Sequence, residues 1–196
     1  MKIASLIWEK ERVSLLYPLL QKGAWVKVRI GGSVQSLLCE QLGLDPEYVG
    51  QRIQTAFLDG KPVDDFTSAK VAEGSVLALS GALPGLAGAT LRRAGFFSPM
   101  RAALSHRGGA QEGQEREGFI TVRIFNILLE ELTPALLVRG VYVEKDEWDA
   151  FCRDLPLKDR ENLEKKIIGE AEESTREGGE TGRRVPAALI RIRTER

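Results

Sequence analysis

Side chains able to do chemistry are scarce in this chain: two cysteines, Cys39 and Cys152, and one histidine, His106. Two thiols so far apart in sequence make neither a disulfide framework nor a zinc motif, and they read as reduced residues on helix faces. A single histidine leaves catalytic triads and histidine-rich metal sites without most of their parts. It lies in the polar stretch Ser105-His106-Arg107-Gly108-Gly109 and reads as a solvated loop residue. The acidic cluster Glu144, Asp146, Glu147 and Asp149 lacks the spacing of a calcium loop and reads as a wet helix face. No catalytic residue, metal or cofactor is therefore assigned, and an enzyme is not the expected class.

Two stretches carry more. Glycines at 81, 85, 88 and 95 are followed or flanked by Arg92-Arg93, so Gly85, Gly88, Arg92 and Arg93 form a candidate anion site of backbone N–H groups and guanidinium forks. No Gly-Lys-[Ser/Thr] follows, and a linker or lid packed on a sheet needs the same glycines, which is the preferred reading. Phe96, Phe97 and Met100, flanked by Arg92, Arg93, Arg101 and Arg107, combine aromatic and basic residues as single-stranded nucleic-acid surfaces do. Adjacent large aromatics seldom stay bare on a soluble monomer, so docking of the second module or a protein partner is preferred, and no nucleic-acid partner is expected.

The 196 residues, 43% hydrophobic and 29% charged, suit one large or two small globular domains. Lys plus Arg and Asp plus Glu are both 28, so no overall field calls for nucleic acid or an anionic membrane. Charge nevertheless alternates along the chain: residues 83 to 111 hold four basic and no acidic side chains, 112 to 180 hold ten basic and eighteen acidic, and 181 to 196 hold five Arg against Glu195. No apolar run reaches the roughly 20 residues of a membrane span, and the start lacks the order of a secretory signal. A cytoplasmic protein is expected. The polar stretch 105–118 marks a link between a domain at 1–104, ending in a Gly/Arg-rich arm (81–104), and a module at 119–196.

The elements that would hold these residues follow from periodicity. Pro18 argues against a helix over 13–20 and for an edge strand, paired through the turn at 21–23 with the alternating strand 24–30. Ser33 caps a helix whose Val34, Leu37, Leu38 and Leu42 share a face until Gly43. Residues 53–58 read as a strand entering the Asp59-Gly60 turn, and 75–80 as a closing strand. Farther on, 120–132 has helical spacing, Thr133-Pro134 restarts a helix to Gly140, 141–143 is extended, and Asp146 caps a helix presenting Trp148, Phe151 and Cys152 inward. Residues 157–175 read as an exposed helix held by pairs such as Glu161–Lys165, and 185–193 reads as a strand that adds to a sheet edge in preference to a basic tail. The fold class is α+β: a β-β-α-β-β unit followed by a mostly helical module.

That order, with SVQSLLCEQLGL (33–44) as the helix, FLDGKPVDD (57–65) as strand and turn and VAEGSVLALSGALPG (71–85) as the last strand, resembles the ubiquitin-like β-grasp fold. Over about residues 12–88 it resembles the sulfur-carrier family of the molybdopterin-synthase small subunit and the thiamine-pathway carrier. The resemblance implies association with enzymes of sulfur transfer or of molybdenum or tungsten cofactor metabolism. Carriers of this family end in Gly-Gly, whose carboxylate is adenylated and loaded with sulfur. Here the corresponding Gly88 is followed by more chain, so carrier chemistry requires trimming after Gly88 or Gly95. The expected role is instead a protein-binding or complex-assembly component, the alternatives being a trimmed carrier and an enzyme subunit holding a phosphorylated cofactor at Gly85 to Arg93.

Overall fold

In the computed structural model, which describes residues 2–8, 10–93, 95–96, 115–156, 167–172 and 188–194, the chain opens with a strand, β1 (Lys2–Ile7). A 3-10 helix over Lys10–Leu16 leads into α1 (Tyr17–Lys22). This corrects the expected edge strand at 13–20. Pro18 stands in the first turn of α1, where its missing N–H costs nothing and its fixed φ favours the helix. Leu16, Leu19 and Leu20 then fall on one buried side.

The middle of the chain follows its local signals closely. Alternation makes β2 (Ala24–Ile30), and Ser33 Oγ accepts from Ser36 N at 3.1 Å to start α2 (Val34–Ser36). The helix widens into a π-type turn over Leu37–Gln41, with Leu42 N bonded to Leu37 O, and stops at Gly43, φ +70°. Asp45 caps α3 (Pro46–Arg52) by accepting from the backbone of Glu47 and Tyr48. Strands β3 (Thr55–Leu58) and β4 (Lys61–Pro62) flank Asp59-Gly60, both at positive φ, as a tight hairpin turn requires. Asp59 also accepts from Val76 N at 2.7 Å and Ser75 Oγ at 3.0 Å, fixing this turn to the start of β5 (Val76–Ser80). A short helix follows, α4 (Gly85–Leu91).

Beyond it the expected helix at 120–132 is mostly a strand, β6 (Arg116–Phe125). The β-branched residues Ile120, Val122 and Ile124 alternate with Phe119, Thr121 and Arg123, and that period of two prevails over the helical spacing shared by Leu128, Leu129 and Leu132. Those leucines belong to α5 (Leu128–Arg139), which begins after Asn126 turns the chain at φ +55°. α5 runs through Pro134 instead of restarting there. Thr133, completely buried, donates its hydroxyl to Leu129 O rather than capping a new helix. Next come β7 (Val141–Glu144) and α6 (Lys145–Asp154), whose N-cap position is Glu144, with Asp146 in the first turn. Where an exposed helix was expected at 157–175, residues 167–172 form a strand, β8 (Ile167–Glu172); Glu161 and Lys165 lie outside the described residues. The final strand is β9 (Ala188–Arg193).

Among the described residues nine strands join one mixed sheet, in the order β4-β3-β5-β6-β2-β7-β9-β1-β8. β6 is antiparallel to β2 and parallel to β5, so a strand from beyond the expected link lies inside the first half's sheet. Arg116 to Gly118, placed in that link, belong to β6. The part expected to be mostly helical supplies four strands besides α5 and α6. β9 is internal, parallel to β1 and antiparallel to β7.

One sheet face carries the core, where Val26, Val28, Ile120, Val122, Ile124, Leu77 and Ile192 meet Val34 of α2 and the leucines of α5 and the π-type turn. Trp8 and Trp148 extend it in an edge contact at 6.2 Å. On the other face a row of paired residues, Thr121, Trp25, Tyr142 and Arg191, crosses four strands. Trp25 is only 2% exposed, so on this face of β2 only Lys27 and Arg29 reach water. α3 is tied to α5 by Glu131, which accepts from Tyr48 Oη at 2.7 Å and from Nε and Nη2 of Arg52.

Two outcomes follow. Removing the Ile120 side chain with Ile120→Ala lowers stability by about 2–5 kcal/mol, and denaturant unfolding followed by tryptophan fluorescence and far-ultraviolet circular dichroism remains one coincident transition, because both halves share β6. Hydrogen bonds from Arg52 hold the Glu131 carboxyl below its ordinary value. Its stabilisation is complete above the unfolded value near pH ~4.3 and disappears as pH falls through the depressed folded one, so Glu131→Gln selectively flattens the acid limb of the stability profile.

Candidate functional site

The glycine-rich segment leaves β5 as an ordered arm. Asn126 Nδ2 donates to Ser80 Oγ at 2.8 Å and to Ala82 O at 3.4 Å, fixing the exit, and α4 follows. Gly85 begins α4 at φ +67°, which a residue with a side chain adopts only with strain, and the space around it is open. Gly88 has a different reason to be glycine: it is buried, and a Cβ there would lie 1.7 Å from Leu83 O. Its own N–H donates to Pro84 O at 3.3 Å.

The two arginines part company. Arg93 N donates to Gln54 O at 2.7 Å, its Nη2 reaches Val49 O at 3.2 Å and Gly50 O at 3.3 Å in the last turns of α3, and its guanidinium lies 3.9 Å from the centroid of the Phe66 ring. Burial pushes this guanidinium below the usual arginine value, against the pull of Asp64 and Asp65. Arg93 is thus the clamp that fastens the arm to α3. Arg92 is exposed and borders a cleft of about 230 Å³ together with Gln54, Thr55 and Gly88. Of the four predicted anion ligands, Arg92 and Gly88 therefore meet at one cleft, while Arg93 is committed to α3.

At the end of the arm Phe96 is 89% exposed, and on α4 Leu86 is 77% exposed. Phe97, Met100 and His106 lie outside the described residues. Cys39 and Cys152, in the π-type turn and in α6, are not joined in a disulfide. Burial pushes the Cys39 thiol up, and Asp45 and Glu40 push it further, which opposes nucleophilic use. Among the acidic residues at the start of α6, Asp149 accepts from Lys145 at 2.6 Å. Among the described residues no group of three or more His, Cys, Asp or Glu side chains is placed to hold a metal ion.

A second and larger cleft, about 710 Å³, includes Arg139, Arg191 and Arg193 in its lining. The residues carrying it were missed as a site because they come from distant parts of the chain. The only local signal is the pair Arg191 and Arg193, two apart on a strand and hence on one face.

Gly88→Ala drives a methyl group into a backbone carbonyl, so α4 leaves its place and limited proteolysis cuts the arm faster than in the wild type. Arg93→Ala, which removes the clamp without a clash, lowers stability by about 1–3 kcal/mol in chemical denaturation. No protein-family model, curated protein or solved structure matches this chain.

Proposed function

We propose that the protein is a non-enzymatic binding or assembly component that presents the arm after β5 to a protein partner. One observation carries this reading: Leu86 and Phe96, two large apolar side chains, expose most of their surface to water on a segment that Arg93 holds against the fold. Water-exposed groups of this size on an anchored segment favour burial against another surface. An arm already ordered gives up less conformational freedom on docking than a loose tail does.

The first part of the sheet supports a β-grasp-like reading with one rearrangement. The helix of residues 34–41 follows β2, and β3 and β5 form the later antiparallel pair. β6 stands beside β2 as the antiparallel neighbour first assigned to 13–20. On this reading the partner is an enzyme of sulfur transfer or of molybdenum or tungsten cofactor metabolism, as the sulfur-carrier resemblance implies, and the compartment is the cytoplasm. Among the described residues no helix is long and apolar enough to cross a membrane.

The assembly role is favoured over a trimmed carrier because Gly88 is packed inside α4 against Leu83, where a protease needs the helix to open before reaching the bond. The phosphorylated-cofactor alternative draws support from the small cleft beside Arg92.

Native purification with identification of the copurifying protein tests the proposal. A full-length chain in stoichiometric complex is expected, with the complex lost in the double variant Leu86→Ala, Phe96→Ala while its circular dichroism is unchanged. An intact mass ending at Gly88 or Gly95, with a thiocarboxylate increment, would replace the assembly role with the carrier.

A further inference from the structure

The larger cleft exists because β7 is short. β2 pairs with β7 only at Trp25 and Val26, and beyond them two side chains take over the open edge. Gln41 accepts from Arg29 N at 2.7 Å and donates to Arg29 O at 3.0 Å, while Arg139 Nε donates to Lys27 O at 2.7 Å and its Nη1 to Gln41 O at 2.9 Å. Past this edge the end of β9 and the last turn of α5 bound a cleft of about 710 Å³, within the usual range for small-ligand sites.

Its charge is one-sided. Arg139, Arg191 and Arg193 line it with Gln41 and Thr194, and among the described residues no carboxylate does. Among the described residues neither Arg191 nor Arg193 makes an ion pair with an acid. Glu117, the acid whose field reaches Arg139, is not in the lining and is held by Lys27 at 3.3 Å. Arg139 is half-buried and fixed by its bonds to backbone carbonyls. Arg191 lies across Gly140, where a Cβ would come within 2.8 Å of its Nε, and its Nη2 donates to Arg139 O at 3.3 Å. Arg191 Nε is buried without an acceptor. Arg193, two residues on and on the same face of the strand, is exposed.

Three guanidinium groups around one cleft repel each other, and a buried N–H without an acceptor costs the desolvation of that group. A multiply charged oxyanion relieves that repulsion, and guanidinium forks match phosphate oxygens in geometry. Leu42, Val138 and Ile7 add apolar wall for the remainder of an organic ligand. We propose that this cleft binds a small organic molecule bearing a phosphate or diphosphate group. Arg191 and Arg193 donate to its oxygens, and Arg139 supplies fixed positive charge behind them. This site is separate from the exposed arm and does not depend on the docking role.

Titration of the full-length protein with inorganic phosphate and pyrophosphate at constant ionic strength, by calorimetry and thermal unfolding, tests the site. Saturable binding is expected, tighter for pyrophosphate. It weakens about tenfold or more in Arg191→Gln and in Arg193→Gln and stays unchanged in Lys61→Gln, an exposed cation on β4 that lines neither cleft. The exposed Arg193→Gln variant decides the matter should Arg191→Gln fail to fold. Equal stabilisation by chloride, wild-type affinity in Arg193→Gln, or loss in Arg92→Ala instead would overturn the assignment. Citrate binding as tightly as pyrophosphate would overturn its phosphate class.

Discussion

The pairing of β6 with β2 on one side and β5 on the other is the constraint on which the remaining architecture depends. An interior strand has its N–H and C=O groups claimed on both edges, and leaving a buried row of them unpaired would cost far more than any side-chain contact here returns. β6 runs antiparallel to β2 from Ala24 to Ile30 and parallel to β5 from Val76 to Ser80. A parallel neighbour cannot be reached by a tight turn, so the chain between β5 and β6 must be long. The arm is part of that connection. Its glycines, its clamp and its exposed apolar residues all belong to the stretch that the parallel pairing obliges the chain to contain.

The same economy explains both clefts. At the arm, Arg93 spends its donors on the carbonyls at the end of α3 and its flat face on Phe66, holding the segment in place and leaving Arg92 at the smaller cleft. At the far end of β2, where β7 has stopped, Gln41 and Arg139 satisfy backbone groups that a strand would otherwise occupy. A side chain that closes a sheet edge leaves more space than a strand does. The larger cleft is that space, and the parallel pairing of β9 with β1 brings Arg191 and Arg193 to it.

How far the fold was legible depended on how local its causes were. Ser33 as a cap, Asp59-Gly60 as a turn and the alternation of β2 act within a few residues, and each appears where the sequence places it. Pro18 misled because a proline forbids the inside of a helix and favours its first turn, and only the start of α1 at Tyr17 distinguishes the two. Residues 120–132 misled because two periods overlap there, that of a strand through Ile124 and that of a helix from Leu128. At the sites, the glycines and arginines of the arm were visible as a pattern, but the division of labour between Arg92 and Arg93 was not. It depends on which of them faces α3.

By itself the sequence determined the α+β class, the caps and turns, the unbridged cysteines and the scarcity of catalytic side chains, since these rest on residue type and short-range spacing. Only the tertiary structure decided that one sheet takes in both halves of the chain, that Gly88 is packed rather than loose, and that three arginines from α5 and β9 share a cleft. Those outcomes depend on strand neighbours far apart in the chain, and alternation within a strand fixes which face is apolar without naming the strand that will lie beside it.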